Sequence, residues 1–197
     1  MKITVAGLTG GIASGKSAAA EMFRAAGAYI IDTDVIARRV TDFSEVREKL
    51  QRFFGEAFSG ETLNRRELRK IVFSDEEKRK LLDSVLHPSI MEETKREISE
   101  AVLKSASPVI IVVVPLLFET EFYKLTKPNI TVACDESVRI ERLQKRDNVS
   151  MELAESMVRA QMTDEERAAR ADIVLENDGG LARLRAQVLR TYLELTE

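Results

Sequence analysis

Residues 10–17 of this 197-residue chain read GGIASGKS, which matches the phosphate-loop pattern G-x-x-x-x-G-K-[ST]. Glycines at these positions let the backbone turn tightly and direct its N–H groups at phosphate oxygens. We expect Lys16 to reach the β- and γ-phosphates and the Ser17 hydroxyl to bind Mg²⁺. The pattern therefore predicts a binding site for a nucleoside triphosphate.

The sequence on both sides of the loop predicts strands that alternate with helices. The run at residues 109–114 is β-branched without alternation, which is typical of a parallel strand covered on both faces. The helix after the loop is predicted at residues 17–26. The predicted strands are residues 2–7, 28–31, 109–114, 130–133 and 172–175. This order indicates an α/β fold with a five-stranded parallel sheet.

Residues 35–105 interrupt that alternation, because they contain no convincing strand. They predict a helical subdomain beside the sheet, where a second substrate could be held. Gly55 is predicted to be a left-handed residue that ends a helix at 43–54. Capping boxes are predicted at Asn64/Glu67 and Ser74/Glu77. Pro88 is predicted to be the first residue of a further helix.

Residues 136–170 are predicted to be helical and are rich in arginine. A turn is expected at 146–150, and the pair Thr163/Glu166 predicts a capping box. Arg139, Arg142 and Arg146 would share one helix face, which is either a solvated basic surface or a source of cations for phosphate. We favour at least one of them acting on ATP phosphates, with Arg142 and Arg146 first. An arginine-bearing lid would also exclude water.

Composition excludes several classes of protein. With 30 basic and 33 acidic residues the formal net charge is −3, which argues against bulk nucleic-acid binding. No apolar run approaches the roughly 20 residues needed to cross a bilayer, and no signal-peptide pattern is found. The one cysteine, Cys134, suits a small buried residue in a reducing compartment. We therefore expect a cytoplasmic protein that does not act on nucleic acid or membranes.

The phosphate loop alone does not distinguish a kinase from a GTPase or an ATPase. The guanine-reading motif N-K-x-D does not occur, and the strand at 109–114 leads into PLLFE rather than the paired acidic residues of motor ATPases. The second strand ends at Asp32-Thr33-Asp34, on the sheet edge where ligands bind. Either carboxylate could accept a proton, position Mg²⁺ through water, or cap the next helix. We favour the functional role for Asp34 and the cap for Asp32.

Several short blocks, in this order along nearly the whole chain, resemble the dephospho-coenzyme A kinase family. The blocks are GLTGGI with SGKS at 7–17, IDTD with IAR at 31–38, HPSI at 87–90, PLLFE at 115–119, and RL with RD at 142–147 followed by Arg159 and Gln161. Each block is weak alone, but five in the family's order and spacing are highly specific.

The resemblance implies ATP-dependent phosphorylation of the ribose 3′-hydroxyl of dephospho-CoA, and a three-layer P-loop kinase fold. It implies a nucleotide-binding core at 1–33, 107–135 and 171–197, a CoA-binding helical domain at 34–106, and a lid at 136–170. Catalytic roles fall on Asp34, Lys16, Arg142 and Arg146. ATP-binding roles fall on Gly11, Ala13, Ser14, Gly15, Lys16, Ser17 and Ala18. Substrate-binding roles fall on Asp34, Arg38, His87 and Glu119.

Some alternatives stay open from the sequence. His87 could be a cap or packing residue, and Glu119 could simply end a strand in solvent. Ala13 stands where the family commonly has glycine, so we expect negative φ there. The chain could also be another small-molecule P-loop kinase, or an ATP-binding regulatory or assembly protein. Its oligomeric state is not predicted.

Overall fold

The structure is a computed structural model that describes residues 3–197. Its contacts group into two units. The first unit runs to Asp32 and resumes at Glu97, and the second is Thr33–Arg96. None of the helices within residues 3–197 is long and apolar enough to cross a membrane.

A five-stranded parallel sheet forms the centre of the first unit, as the sequence predicts. Its strands are β1 (Thr4–Gly10), β2 (Tyr29–Asp32), β5 (Val109–Val113), β6 (Asn129–Ala133) and β7 (Ile173–Glu176). They lie in the order β2-β5-β1-β6-β7. The three-layer α/β prediction is confirmed.

Helices α1 (Lys16–Ala26) and α9 (Leu181–Thr196) help to cover this sheet. All five residues of β5 are buried, which explains their uninterrupted Val and Ile run. Phe23 of α1 and Val188 of α9 are fully buried in the same core. Each large apolar side chain buried in this way stabilises the fold by roughly 1.5–3 kcal/mol.

The strand register brings three loops to one edge of the sheet. Gly10, at the end of β1, is paired with Val132 in β6, and Ala133 is paired with Glu176 at the end of β7. The loops that leave β1, β6 and β7 therefore begin side by side. The phosphate loop is the first of them.

Residues 136–170 form three helices in the first unit. They are α6 (Glu136–Asp147), α7 (Met151–Arg159) and α8 (Asp164–Arg170). The predicted turn is present with Asn148 at φ 52°, and the capping box of Thr163 and Glu166 is complete. The division of the chain into core, acceptor domain and lid stays a prediction.

The second unit contains α2 (Thr33–Val40), α3 (Ser44–Phe53), α4 (Arg65–Ser74) and part of α5 (Glu76–Lys104). Its core includes Leu50 and Phe54, both fully buried. It also holds a hairpin of β3 (Phe58–Ser59) and β4 (Thr62–Leu63). The prediction that this region lacks strands was wrong, because two-residue strands are too short to show a period of two.

Two helix boundaries in the second unit differ from prediction. Helix α3 ends at Phe53 and is capped by Phe54 with φ −133°, and Gly55 begins a short 3-10 turn rather than adopting a left-handed conformation. Ser74 is the last residue of α4, and Asp75 receives the N–H of Lys78 in its place. Asn64 does cap α4, accepting the N–H groups of Arg66 and Glu67.

Pro88 was wrongly predicted to start a helix, since it lies inside α5. An interior proline removes a backbone hydrogen bond and costs about 3 kcal/mol. Val85 and Ile90 on either side of Pro88 are both buried. Such packing can outweigh the local penalty, because tertiary contacts rather than propensity stabilise most helices in proteins.

Candidate active site

The phosphate loop leaves β1 and becomes α1 through Gly15. Gly15 has φ 104°, and a Cβ there would stand 2.1 Å from Asn177 Nδ2, so both conformation and space require glycine. The first α1 hydrogen bond runs from the Ala19 N–H to the Gly15 carbonyl, 2.9 Å. The preceding N–H groups of α1 have no acceptor within the helix, and they stand at the positive end of its dipole. This arrangement suits an anion.

Two carbonyl groups of the loop, those of Ile12 and Ser14, are held by side chains from outside it. Arg139 Nε donates to the Ile12 carbonyl at 3.0 Å, and Asn177 Nδ2 donates to the Ser14 carbonyl at 2.6 Å. The C=O and following N–H of a planar trans peptide point in opposite directions. The N–H groups of Ala13 and Gly15 therefore point away from these side chains, into the loop.

Arg139 does not lie on a solvated surface. It is 3% exposed, and a Cβ on Gly11 would stand 2.5 Å from its Nη2. Gln161 completes the contact, because its Oε1 accepts the Ile12 N–H at 2.7 Å. Gln161 belongs to one of the blocks that resemble the family, but the sequence predicted no role for it. A contact between residues 149 positions apart leaves no local pattern in the sequence.

Asp164, the first residue of α8, contacts two buried arginines. One is Arg139 of α6, which holds the loop, and the other is Arg167 of α8 itself. Asp164 Oδ1 lies 3.2 Å from Arg139 Nη1 and 2.5 Å from Arg167 Nη1, and its Oδ2 accepts the Cys134 N–H at 3.0 Å. Burial lowers the pKa of Arg167, which is 2% exposed, although a guanidinium stays charged in proteins. Removing one partner of such a buried pair costs roughly 3–5 kcal/mol.

Arg142 also contacts the outer side of the loop. Its Nη1 lies 3.3 Å from the Ala13 carbonyl and 3.2 Å from Cys134 Sγ, and its Nη2 donates to the Asn177 carbonyl at 2.9 Å. Burial raises the pKa of Cys134 to about 11, with Arg142 acting in the opposite direction. Cys134 is therefore a buried thiol at neutral pH, as the sequence predicts.

The remaining donor-side residues sit at the start of α1. Lys16 is half-buried and Ser17 is exposed, and Ala18 follows them in the helix. Ser14 is fully buried, and its hydroxyl has no hydrogen-bond partner among residues 3–197. Arg146 lies further along α6 and pairs with Asp147 at 2.7 Å on the surface. The phosphate-binding roles of Arg142 and Arg146 stay predictions.

Ala13 has φ 60°, so the expectation of negative φ was wrong. The contacts of the neighbouring carbonyls at Ile12 and Ser14 fix this left-handed geometry. For a residue with a Cβ, the left-handed conformation costs roughly 1–2 kcal/mol. The loop thus keeps the shape that glycine would favour while carrying a methyl group.

Ala13→Gly should therefore raise the free energy of unfolding by about 0.5–1 kcal/mol. Glycine relieves the left-handed strain, and part of that gain is offset because glycine has more conformational entropy in the unfolded chain. Denaturant unfolding measures the change. Ala25→Gly is the matched control, because Ala25 is exposed in the right-handed helix α1 and its replacement should destabilise by roughly 1 kcal/mol. A loss of stability of equal size in both variants would contradict the left-handed geometry at Ala13.

On the acceptor side, the structure brings Asp34 and Arg38 to one cavity of about 410 Å³ within the second unit. Asp32 ends β2, and Asp34 lies in the first turn of α2. His87 is not in that cavity's lining among the described residues. It lies within α5 with Nε2 3.8 Å from Asp83 Oδ1. Glu119 belongs to the first unit, where it is exposed and interacts electrostatically with Arg167.

Comparison with known proteins agrees with this geometry. The family model for dephospho-CoA kinases matches residues 4–183. The dephospho-CoA kinase of Chromobacterium violaceum is 42% identical over 192 residues, covering 95% of this chain and 92% of the relative. A crystal structure of a Thermus thermophilus protein is 36% identical with a TM-score of 0.82, covering 100% of both chains.

A second solved structure, the dephospho-CoA kinase from Campylobacter jejuni, is 24% identical with a TM-score of 0.66. It covers 98% of this chain and 97% of its own, and at this identity the likeness concerns the fold. The matched residues include the phosphate loop, the strand ends and the helices that hold the loop in place. The chain therefore belongs to the dephospho-CoA kinase family.

Proposed function

We propose that this kinase transfers the γ-phosphoryl group of ATP to the ribose 3′-hydroxyl of dephospho-CoA, giving CoA and ADP. The observation that carries the proposal is the phosphate loop at the start of α1, where outside side chains hold the Ile12 and Ser14 carbonyls and so direct the Ala13 and Gly15 N–H groups the other way. Family membership supports dephospho-CoA as the acceptor. The reaction is the last step of coenzyme A biosynthesis.

On the donor side, the proposed phosphate ligands are the loop N–H groups and the Lys16 ammonium. The contributing residues are Gly11, Ala13, Ser14, Gly15, Lys16, Ser17 and Ala18. Transfer spreads negative charge over the oxygens of the moving group, and fixed cations and N–H dipoles stabilise that charge.

Mg²⁺ is the proposed metal ion, and when bound it would supply positive charge that neutralises the phosphates during transfer. Residues 3–197 contain no group of three or more His, Cys, Asp or Glu side chains placed to hold a metal. The ion would therefore rest on the Ser17 hydroxyl, on phosphate oxygens and on water, which is common for Mg²⁺ at nucleotide sites. The donor set present in the chain fits that mode of binding.

On the acceptor side, Asp34 is the proposed general base. Its carboxylate takes the proton of the 3′-hydroxyl while that oxygen forms a bond to the γ-phosphorus, and the bond from the γ-phosphorus to ADP breaks. Arg38, one helical turn further along α2, lines the same cavity and is a proposed substrate ligand. His87 and Glu119 remain proposed contributors to substrate binding.

Residues 136–170 are the proposed lid, and residues 34–106 the proposed acceptor domain. Arg142 already lies beside the loop, but its Nη1 contacts the Ala13 carbonyl on the outer side, so it would have to leave that contact before it could bind phosphate. Arg146 would have to leave Asp147 before it could bind phosphate. We keep the cytoplasm as the proposed location, with small-molecule substrates and no nucleic acid.

A coupled assay of ADP release over a panel of acceptors tests the function. Dephospho-CoA should stimulate release strongly, and the product should match CoA in chromatography and mass. Nucleoside monophosphates and shikimate should give little stimulation. Stimulation by one of those acceptors but not by dephospho-CoA would make the chain another small-molecule kinase. No stimulation by any acceptor would favour a regulatory ATP-binding protein.

A further inference from the structure

The cavity beside Asp34 is lined in part by three arginines. Arg38 comes from α2, and Arg65 and Arg69 come from α4. Asp34 is the carboxylate in the lining, so the charges around the cavity are predominantly positive. A site with this balance attracts an anion carrying more than one negative charge.

The three arginines differ in how they are held. Arg65 Nη2 donates to the Arg38 carbonyl at 2.8 Å and to Thr41 Oγ1 at 3.0 Å, and it lies 3.6 Å from Asp42 Oδ2. Arg65 therefore joins α4 to α2. Arg38 and Arg69 form no ion pair with any residue from 3 to 197, and both side chains are exposed. Their guanidinium groups can thus serve a ligand.

Another part of the lining is apolar. Leu63, Val72 and Leu82 are half-buried there, each also packed against the core of the second unit. A cavity of about 410 Å³ lies within the range of small-molecule sites, roughly 300–1,000 Å³, which typically combine apolar walls with a few polar groups. The ligand that fits therefore has both a charged and an apolar part.

The spacing along the helices sets where the charged part lies. Asp34 and Arg38 are four residues apart on α2, and so are Arg65 and Arg69 on α4, which places each pair about one turn, 5.4 Å, apart. A similar distance separates the 3′-oxygen of a nucleotide from its 5′-phosphorus. A ribose with its 3′-hydroxyl at Asp34 would therefore bring its 5′-phosphates toward Arg38, and Arg69 lines the same cavity.

We infer that Arg69, together with Arg38, binds the diphosphate of the acceptor, and that the apolar wall receives the arm beyond it. This inference rests on the proposed function and makes it more specific. Arg65 acts as a positioning residue, since its hydrogen bonds fix α4 against α2. The arginines would select an acceptor with a 5′-diphosphate, and the apolar wall would select one with a long substituent.

Arg69→Gln should raise KM and Kd for dephospho-CoA about 10-fold or more, since a hydrogen bond to a charged group contributes about 1.5–3 kcal/mol. The KM for ATP should not change. Adenosine has the ribose hydroxyl without phosphate, so its kcat/KM should be the same in both enzymes. Arg69→Lys should fall between the wild type and Arg69→Gln, because it keeps the charge without the planar fork.

Arg66→Gln is the matched control, since Arg66 is an exposed arginine of the same helix outside the cavity lining. Its kinetics should equal those of the wild type with both acceptors. An unchanged KM and Kd for dephospho-CoA in Arg69→Gln would overturn the inference while leaving the proposed function intact. Equal losses with dephospho-CoA and adenosine would also overturn it, because they would mark a general structural role. A wild-type enzyme inactive on dephospho-CoA would overturn both.

Discussion

Asp34→Asn should lower kcat with dephospho-CoA at least a hundredfold, which is the lower end of the range for losing a general acid or base, about 10²–10⁴. Asparagine keeps the size and the hydrogen-bonding oxygen of aspartate but cannot accept the proton. Asp34 lies in the second unit and the phosphate loop in the first. ATP affinity should therefore stay close to that of the wild type, as calorimetric titration would measure.

Asp32→Asn is the informative partner of that experiment. Asp32 ends β2 two residues earlier, at the position that precedes α2. If it caps the helix, Asp32→Asn should leave both stability and turnover near the wild-type values, because asparagine caps as well as aspartate, whereas Asp32→Ala should cost about 1 kcal/mol of stability. Unchanged turnover in Asp34→Asn would contradict the assignment of Asp34 as the base. A larger loss in Asp32→Asn would transfer that assignment to Asp32.

Lys16→Ala should impair both ATP binding and transfer, because it removes the cation expected at the β- and γ-phosphates. Losing one charged contact should weaken ATP binding by about 10- to 100-fold. The rate of transfer should fall by a further factor of about 10²–10³, the scale for removing a group that stabilises developing charge. Binding is measured by titration with ATP, and transfer by single-turnover kinetics.

The fold should survive this substitution, because alanine is the best helix former and Lys16 is the first residue of α1. Equal unfolding midpoints for variant and wild type would establish that. Lys145→Ala is a suitable control, since Lys145 is a largely exposed lysine of α6 whose carboxylate partner is Glu141. ATP binding that is as tight in Lys16→Ala as in the control would remove Lys16 from the donor site.

The sheet and the phosphate loop could be predicted because their signals are local. The pattern of residues 10–17 specifies a tight turn, the N–H groups that face phosphate and the start of a helix, all within eight positions. The run from Val109 onward is apolar at every position because the strand is covered on both faces. Capping of α4 and α8 was equally local, since Asn64 and Thr163 act on residues two or three positions away.

The features that sequence reasoning missed depend on contacts between distant segments. Helical spacing correctly placed Arg139 on α6, but it could not show that Gln161, between α7 and α8, and Asp164 of α8 would cover it. Ala13 looked compatible with negative φ until the outward contacts of the loop were known. Pro88 resembled a helix start because the packing around it lies outside its own turn.

Asp164 couples the phosphate loop to helix α8 within the first unit. Because it bridges Arg139, which holds Ile12, and Arg167 of α8, displacing α8 must disturb the backbone of the phosphate loop. Nucleotide affinity and the docking of α8 are then thermodynamically linked. Linkage is reciprocal, so whatever factor the docked helix adds to ATP affinity, bound ATP must add to the docking of the helix. A single carboxylate thereby couples ATP binding at the phosphate loop to the docking of α8.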